Sequence, residues 1–278
     1  MGVSGSGHFA DRLAAAVERK GAPLCVGLDP DPDLMPEGLG VLEFCRGIVD
    51  AVAPVVVAVK PQAAFFEAQG AEGWAALVQV CGYAREAGLL VVADGKRGDV
   101  PSTARAYAAA FAPLADAVTV NPYLGYDSLE PFLAHDGLGV LALLKTSNPG
   151  SADIQDMVLE DGRPLWQHVA GLIDRWGEDR VGASGVSSVG AVVGATHPEI
   201  LETVRSLLPR GVLLLPGVGA QGGSAENLAA AFTAGPASAL VSASRSVLYA
   251  DRGPGWQEAA AAEAERLAGE LRAVAAVG

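Results

Sequence analysis

The hydrophobic positions of this 278-residue chain fall into two alternating kinds of segment. Short apolar runs rich in β-branched residues have the length of strands, and longer Ala-rich segments between them carry apolar residues at helical spacing. The runs that predict strands are Pro23–Leu28, Val55–Lys60, Leu89–Asp94, Ala117–Asn121, Gly139–Lys145, Val189–Ala195, Val212–Pro216 and Ser238–Ala243. The segments that predict helices include one beginning near His8 or Phe9, and Gly73–Ala87, Ser102–Ala112, Pro164–Trp176, Glu199–Leu208 and Ala225–Ala234.

Eight strands alternating with helices over a chain of this length predict an α/β fold, a (β/α)₈ or TIM barrel. We expect residues 1–278 to form a single domain, because no linker rich in proline and serine divides the chain. Residues 1–7 are predicted to be a disordered tail, and Gly150–Arg163 a long polar loop after the fifth strand. A doubly wound sheet is the alternative, but no G-x-G-x-x-G pattern follows the first strand.

The composition narrows the range of partners and locations. A formal net charge of −13 argues against a general nucleic-acid or anionic-membrane surface, although a local basic pocket for a small anionic ligand remains compatible with it. No membrane span and no secretory signal are expected from the pattern of apolar residues. Cys25, Cys45 and Cys81 lack C-x-x-C spacing, which predicts reduced core thiols in a cytoplasmic protein. The four histidines lie far apart, so no dedicated zinc site is expected.

Polar residues follow almost every predicted strand at its C-terminal end, where barrel enzymes place their function. The first three strands end in acids and amines, whereas the last two end in groups suited to binding anions. The residues at these ends are Asp29, Lys60, Asp94 with Lys96, Asn121, Lys145 with Ser147, Thr196 with His197, the loop Gly217–Gly223, and Ser244 with Arg245.

The segment from Asp94 to Asp99 concentrates charge where an apolar strand meets a loop. Strand alternation points Asp94 and Lys96 the same way, about 7 Å apart along the strand. Such charges are costly to bury unless they pair or take part in chemistry. A salt-bridged strand end that pins a loop is one interpretation. Lys60, which closes an apolar run one strand away, favours a catalytic or ligand-binding group of acids and amines.

A glycine-rich loop, Pro216–Gly223, follows the seventh strand, and Arg245 follows the eighth. Glycines without a Cβ let backbone amides approach a phosphate, and an arginine beside them can clamp the same group. Loops after the last two strands are the usual phosphate site of such barrels. An ordinary flexible loop with a surface arginine is the alternative interpretation.

Three further polar features have structural explanations. Thr103, near the start of a predicted helix, could simply cap it. The segment Thr146–Gly150 could be only a turn, or it could present hydroxyls and amides to a polar ring. We interpret His197, which precedes a proline at a predicted helix start, as structural.

Together these residues resemble the orotidine 5′-phosphate decarboxylase family, TIM-barrel enzymes of the last step of de novo UMP synthesis. The segment Asp94-Gly-Lys96-Arg-Gly-Asp99 matches the family's D-x-K-x-x-D signature after the third strand. Further matches are Leu28–Pro30, Val59–Lys60, Thr146–Gly150, Pro216–Gly223 and Ser244–Ser246, so the resemblance runs from about residue 10 to the final helix. The long loop after the fifth strand is similar to that of the larger-chain bacterial subgroup. Gly95 and Val100 replace the usual alanine and isoleucine, without loss of a functional group.

The resemblance implies decarboxylation of orotidine 5′-monophosphate (OMP) to UMP and CO₂ without a cofactor or metal. It implies a tetrad of Lys60, Asp94, Lys96 and Asp99, with Lys96 stabilising and then protonating a carbanion at C6 of the pyrimidine. It also implies a homodimer with shared active sites, in which Asp99 and Thr103 serve the neighbouring subunit. The other expected substrate-binding residues are Asp29 with Lys60 for the ribose, Ser147 for the pyrimidine edge, Gln221 and Arg245 for the 5′-phosphate, and Pro216 at the start of that loop.

Three other interpretations stay open. A hexulose-phosphate synthase has a similar D-x-K-x-x-D element but uses Mg²⁺ at acidic strand ends and lacks a lysine corresponding to Lys60, so sensitivity to EDTA would separate the two. A Schiff-base aldolase could use Lys60 or Lys145, although flanking carboxylates would keep either amine protonated. A non-catalytic nucleotide-binding barrel would keep the phosphate site but would have little use for a buried array of acids and amines.

Overall fold

The computed structural model describes residues 7–219 and 223–276. Its strands are all parallel and close into one barrel in chain order, which confirms the predicted (β/α)₈ architecture. The strands are β1 (Leu24–Leu28), β2 (Ala58–Pro61), β3 (Leu90–Arg97), β4 (Ala117–Val120), β5 (Gly139–Lys145), β6 (Ser187–Val193), β7 (Gly211–Pro216) and β8 (Ala239–Ala243).

Helices connect and surround the strands. The α-helices are α1 (Phe9–Lys20), α2 (Val41–Val52), α3 (Ala63–Glu67), α4 (Gly70–Glu86), α5 (Pro101–Phe111), α6 (Glu130–Leu133), α7 (Ala152–Gln155), α8 (Leu165–Trp176), α9 (Leu201–Leu207), α10 (Arg245–Leu248) and α11 (Trp256–Ala275). Short 3₁₀ helices lie at Pro122–Leu124, Tyr126–Ser128, Pro149–Ser151, Glu178–Arg180, Pro198–Ile200 and Ala225–Phe232.

Two apolar layers hold the barrel together, and β5 illustrates how one strand serves both. Val140, Ala142 and Leu144 belong to the layer between the strands and the outer helices, while Leu141 and Leu143 belong to the barrel interior. This alternation follows from the two-residue period of a strand. Because both faces are covered, the strands read as continuous apolar runs, as is typical of parallel sheets.

Helix α1 packs against the amino-terminal end of the barrel. Phe9, Leu13 and Val17 on one face of α1 join the interior apolar cluster. Phe9 lies against the first residue of β5, Gly139, so closely that a Cβ there would stand 2.3 Å from the Phe9 ring. With this mouth of the barrel covered, a ligand cavity is left to the carboxyl ends of the strands.

The predicted elements and the observed ones differ in detail. The segment Ala225–Ala234, predicted as an α-helix, forms a 3₁₀ helix instead, because apolar spacing defines a buried face and does not specify the hydrogen-bond partner. The predicted loop Gly150–Arg163 includes the one-turn helix α7. Residues 1–6 of the predicted tail lie outside the described residues.

The three cysteines are free and buried. In the part of the chain that the structure describes, no helix combines the length and the apolar character needed to cross a membrane.

Candidate active site

A cavity of about 950 Å³ opens at the carboxyl ends of the strands. Polar side chains at inward-facing strand positions line the cavity. Lys60 follows the interior residue Ala58 by two positions, and Asp94 follows the interior residue Val92 by two, so both side chains point inward. The predicted site residues in its wall are Asp29, Lys60, Asp94, Lys96, Ser147, Pro216 and Arg245. The structure therefore brings seven residues from six strands or the loops that follow them to one cavity.

Asp94 is the centre of a hydrogen-bonded ionic network. Its Oδ2 accepts from Lys60 Nζ at 2.7 Å and from Gln62 Nε2 at 3.0 Å. Its Oδ1 accepts from Lys96 Nζ at 2.6 Å and from the Thr119 hydroxyl at 2.8 Å. Each oxygen of the carboxylate is thus occupied by two donors of the protein. Lys60 and Asp94 are each only 5% exposed, whereas the Lys96 side chain is 41% exposed.

The network keeps its buried members charged. Burial alone would raise the pKa of Asp94, but the ammonium groups of Lys60 and Lys96 outweigh it and hold that pKa well below its usual range. Burial alone would lower the pKa of Lys60, but the nearby Asp94 and Asp29 carboxylates outweigh it and raise that pKa. The cavity wall therefore carries an ionised Lys60–Asp94 pair at neutral pH.

A β-bulge places Lys96 in this network. Ala93 pairs with Val118 and Arg97 with Val120, so β3 advances four residues where β4 advances two. Lys96 has φ of +46°, and no other non-glycine residue in 7–219 or 223–276 has a positive φ. Bulges near active sites redirect a side chain, and this one turns the Lys96 side chain toward Asp94.

Two residues of the predicted site stand apart from the cavity of their own chain. Asp99 does not contribute to its described wall, and the Asp99 carboxylate accepts from the Val100 amide at 2.7 Å. Thr103 lies in the first turn of α5, half-buried, and is also outside that wall.

The residues expected to bind the ribose and the phosphate face the cavity with open polar groups. The Oδ1 atom of Asp29 is buried and has no hydrogen-bond partner. The Arg245 side chain is exposed and forms no hydrogen bond or ion pair with the described residues. Gly217 and Gly219 in the loop after β7 adopt positive φ values of 107° and 80°. Gln221 lies outside the described residues.

Lys145 and His197 contact residues of the loop after β5. Lys145 is buried and lies within 2.7 Å of both carboxylate oxygens of Asp156. A nitrogen of the His197 ring lies 3.2 Å from the carbonyl oxygen of Thr146, and the other lies 3.3 Å from Glu199. Neither Lys145 nor His197 is among the described residues that line the cavity.

Gln62 and Thr119 contact Asp94 but were not among the predicted site residues. Both occupy inward-facing positions, two residues after Lys60 and two residues after Ala117. The signal for Thr119 was a hydroxyl inside the apolar run Ala117–Val120, and the signal for Gln62 was its position after the lysine and a proline. Among the described residues, no group of three or more His, Cys, Asp or Glu side chains is arranged to hold a metal ion.

The fold and the cavity together define a class of protein, a (β/α)₈-barrel enzyme with a Lys–Asp–Lys triad at the carboxyl ends of β2 and β3. The chain belongs to the orotidine 5′-phosphate decarboxylase / HUMPS family, whose model matches residues 22–262.

Curated relatives and solved structures agree with this membership. Orotidine 5′-phosphate decarboxylase from Roseiflexus sp. (strain RS-1) is 47% identical over 274 residues, covering 95% of this chain and 97% of that protein. The enzyme of the same name from Rhodopirellula baltica is 44% identical over 270 residues, covering 88% and 89% of the two chains. The structure of Leishmania donovani OMP decarboxylase superimposes with a TM-score of 0.79 at 35% identity, covering 98% of this chain and all of that one (100%). A Toxoplasma gondii crystal structure gives 0.89 at 34% identity, with 98% of both chains covered.

Proposed function

We propose that this chain, acting in the cytoplasm, decarboxylates OMP to UMP and CO₂ in pyrimidine biosynthesis, with no cofactor. The observation that carries the proposal is the hydrogen-bonded triad of Lys60, Asp94 and Lys96 in the wall of the cavity. The curated relatives with that name, 44–47% identical over most of the chain, support the choice of substrate.

The chemistry requires electrostatic stabilisation in place of an electron sink. When the bond from C6 to the carboxylate breaks, the electron pair stays on C6 in an sp² orbital that the pyrimidine ring cannot delocalise. A preorganised positive charge beside C6 lowers the energy of that carbanion, and such preorganisation is usually the largest catalytic contribution. The ammonium of Lys96 supplies the charge and then donates a proton to C6. Because its side chain is 41% exposed, the neutral amine can recover a proton from solvent.

Asp94 has two roles in the proposal. Its four hydrogen-bond donors fix it in place, and it in turn positions both ammonium groups. Its ionised carboxylate also lies in the cavity wall, where the carboxylate of the substrate would meet a like charge. That repulsion is relieved as neutral CO₂ departs.

Further polar groups of the cavity wall suit the rest of a nucleotide. The unpartnered Oδ1 of Asp29, close to Lys60, fits a ribose hydroxyl as donor. Arg245 and the loop after β7, which includes Gln221, fit the 5′-phosphate, and Ser147 fits the pyrimidine edge. Binding energy from the phosphate, far from the reacting carbon, would be used to hold the ring against Lys96.

The same reaction site is completed, in this proposal, by a second copy of the chain. Asp99 lies outside its own cavity wall, beside Val100, a residue that is 52% exposed. The neighbouring loop after β4 exposes further apolar surface, including Tyr123 at 81%. Gly98 packs directly on Asn121, so the two loops form one surface. A homodimer through this surface would cover it and would deliver Asp99 and Thr103 to the partner's cavity.

Contacts in the site argue against the alternatives. Both oxygens of Asp94 are occupied by protein donors, which leaves that carboxylate poorly placed to ligate Mg²⁺ in a synthase. The raised pKa of Lys60, due to Asp94 and Asp29 outweighing burial, keeps it protonated and unsuited to form a Schiff base. Lys145 is engaged by Asp156 away from the described cavity wall.

The direct test is loss of the ultraviolet absorbance of OMP on addition of the purified protein, with and without EDTA. We expect rapid loss of the orotate band that EDTA does not change. Loss only without EDTA would favour a metal-dependent enzyme. Tight UMP binding with no change in the band would favour a non-catalytic nucleotide-binding barrel and refute the proposal.

Shared sites are tested by mixing two inactive variants, Lys96→Ala and Asp99→Asn. Hybrid dimers would contain one intact site, with Lys96 from one subunit and Asp99 from the other. Random exchange in an equal mixture predicts recovery of about a quarter of wild-type activity. A mixture that stays inactive after mass spectrometry has confirmed subunit exchange would contradict the shared site.

A further inference from the structure

We propose that Thr119 is a positioning residue for the reaction, one whose hydroxyl holds both the Asp94 carboxylate and the backbone of Lys96 in their working geometry. The inference rests on the proposed decarboxylation for its kinetic consequence. Its structural basis is separate, because it depends only on contacts between β3 and β4.

Thr119 acts from behind the cavity wall. It lies at an inward position of β4 and is only 2% exposed. It is not among the described residues that line the cavity, so a ligand there would not contact it. Any influence of Thr119 on the reaction must pass through the residues it contacts.

The register of the sheet puts Thr119 opposite the bulge. Between the pairs Ala93–Val118 and Arg97–Val120, β3 has three residues and β4 has only one. That one residue is Thr119, and it faces the bulged residues 94–96. A normal ladder cannot continue across such a mismatch, because the extra residues have no backbone partners on the neighbouring strand.

The Thr119 hydroxyl replaces the missing ladder bonds. Its oxygen accepts the backbone N–H of Lys96 at 3.0 Å, and its proton is donated to Oδ1 of Asp94 at 2.8 Å. One O–H donor and an acceptor lone pair are both required here, and a hydroxyl provides both in a single atom. Serine can make the same two bonds, whereas the nearly isosteric valine can make neither.

Lys96 needs this support because its backbone conformation is unfavourable. A side chain with φ of +46° crowds the adjacent carbonyl and persists only where the surroundings hold it. The bond to Thr119 satisfies the amide of Lys96 in that conformation. Without it, the backbone at residue 96 is free to relax, and the ammonium would move from its place beside Asp94.

The test compares Thr119→Val with Thr119→Ser, and uses Ser187→Ala as a matched control. The Ser187 hydroxyl likewise donates to a carbonyl, that of Gly177, and accepts a backbone N–H, that of Val189, but it lies at the first residue of β6, at the opposite end of the barrel. Turnover of OMP, the Kd for UMP and the melting temperature are measured for each variant.

Thr119→Val should lower kcat by about tenfold to a hundredfold, the loss expected for a hydrogen bond to a charged group, with the Kd for UMP changed by no more than about threefold. Thr119→Ser should keep kcat within about threefold of wild type, and Ser187→Ala should lower the melting temperature while leaving kcat unchanged. If Thr119→Val does not fold, Thr119→Cys, with its weaker donor, should give a kcat below that of Thr119→Ser.

Two results would overturn the inference while the proposed function stands. One is that the wild type is active and that Thr119→Val, like Ser187→Ala, is less stable but keeps full activity. The other is Thr119→Ser as impaired as Thr119→Val. A wild-type protein that does not turn over OMP would refute the proposed function instead. In that case a crystal structure of Thr119→Val decides the positioning role, which fails if Lys96 keeps its positive φ and its contact with Asp94.

Discussion

The buried pair of Lys60 and Asp94 allows a prediction about stability that needs no assay of activity. Replacing Asp94 by asparagine keeps the shape of the side chain but removes its charge. The Lys60 ammonium is then left inside the barrel without its counter-ion. The substitution also replaces one of the two Asp94 carboxylate oxygens, each of which accepts hydrogen bonds, by an NH₂ group. That NH₂ group is itself a donor, so it cannot accept from the donors that surround it.

The magnitude follows from the burial of the pair. The two side chains are 6% and 7% exposed, so solvent screens their interaction little. Removing one partner of such a pair costs about 3–5 kcal/mol, because an uncompensated charge stays buried. Adding Lys60→Met to Asp94→Asn removes that charge. We therefore expect the double variant to be more stable than Asp94→Asn alone, by about 2 kcal/mol.

The measurement is urea unfolding followed by circular dichroism for the wild type, both single variants and the double variant. All variants of the triad are expected to lack decarboxylase activity, so only stability is compared. If Lys60→Met made Asp94→Asn still less stable, the two effects would be additive and the charge of Lys60 would not be the cause. The reasoning would be refuted by that result, or by an Asp94→Asn variant as stable as the wild type.

The pH dependence of this pair has a defined sign. The folded-state pKa of Asp94 is lowered, because Lys60 and Lys96 outweigh burial, so its contribution is present above its unfolded pKa of about 3.9 and is lost as pH falls through the folded value. The folded-state pKa of Lys60 is raised, so its contribution is present below about 10.4 and is lost as pH rises through the folded value. The contribution of the pair to the stability of the wild type should thus be constant between about pH 5 and pH 9, and the stability difference between the wild type and the double variant Asp94→Asn/Lys60→Met, which carries neither charge, should show that plateau in urea unfolding.

Three further substitutions test other parts of the structure. Arg205 is buried and donates to four backbone carbonyl groups, so Arg205→Met should lower the free energy of unfolding by at least about 2 kcal/mol in urea titrations. Asp156→Asn leaves the buried ammonium of Lys145 without its carboxylate, and should weaken UMP binding in calorimetry by loosening the loop after β5. At Gly27 a Cβ would stand 1.9 Å from the Ser244 hydroxyl, so Gly27→Ala should displace the residues leading into α10 and raise the KM for OMP. An unchanged value in any of these measurements would contradict the corresponding contact.

Much of the fold follows from local pattern. The strand Gly139–Lys145 was predicted with its observed bounds, because an apolar run between a glycine and a lysine defines both ends. Period-two alternation also explains why Lys60 and Asp94 share the cavity, since each follows an interior residue by two positions. These are properties of single strands, and one sequence is sufficient to read them.

The rest depends on how neighbouring strands align. The bulge at Asp94–Lys96 is a mismatch between β3 and β4, and regular alternation within β3 could not reveal it. The role of Thr119 depends on that same mismatch, so the residue appears in the sequence only as a hydroxyl in an apolar run. The separation of Asp99 from its own cavity likewise depends on where the loop after β3 turns.

Two lysines contact one carboxylate in this site, and we propose different tasks for them because their surroundings differ. Lys60 is 5% exposed, and its pKa is raised because Asp94 and Asp29 outweigh burial, so it holds its proton and serves as a fixed charge. Lys96 contacts the other oxygen of Asp94 from a strained backbone, with 41% of its side chain exposed. A proton donor must approach the substrate and then exchange with solvent. Of the two ammonium groups, only that of Lys96 meets both conditions, and this difference in exposure is our reason for assigning it the proton transfer to C6.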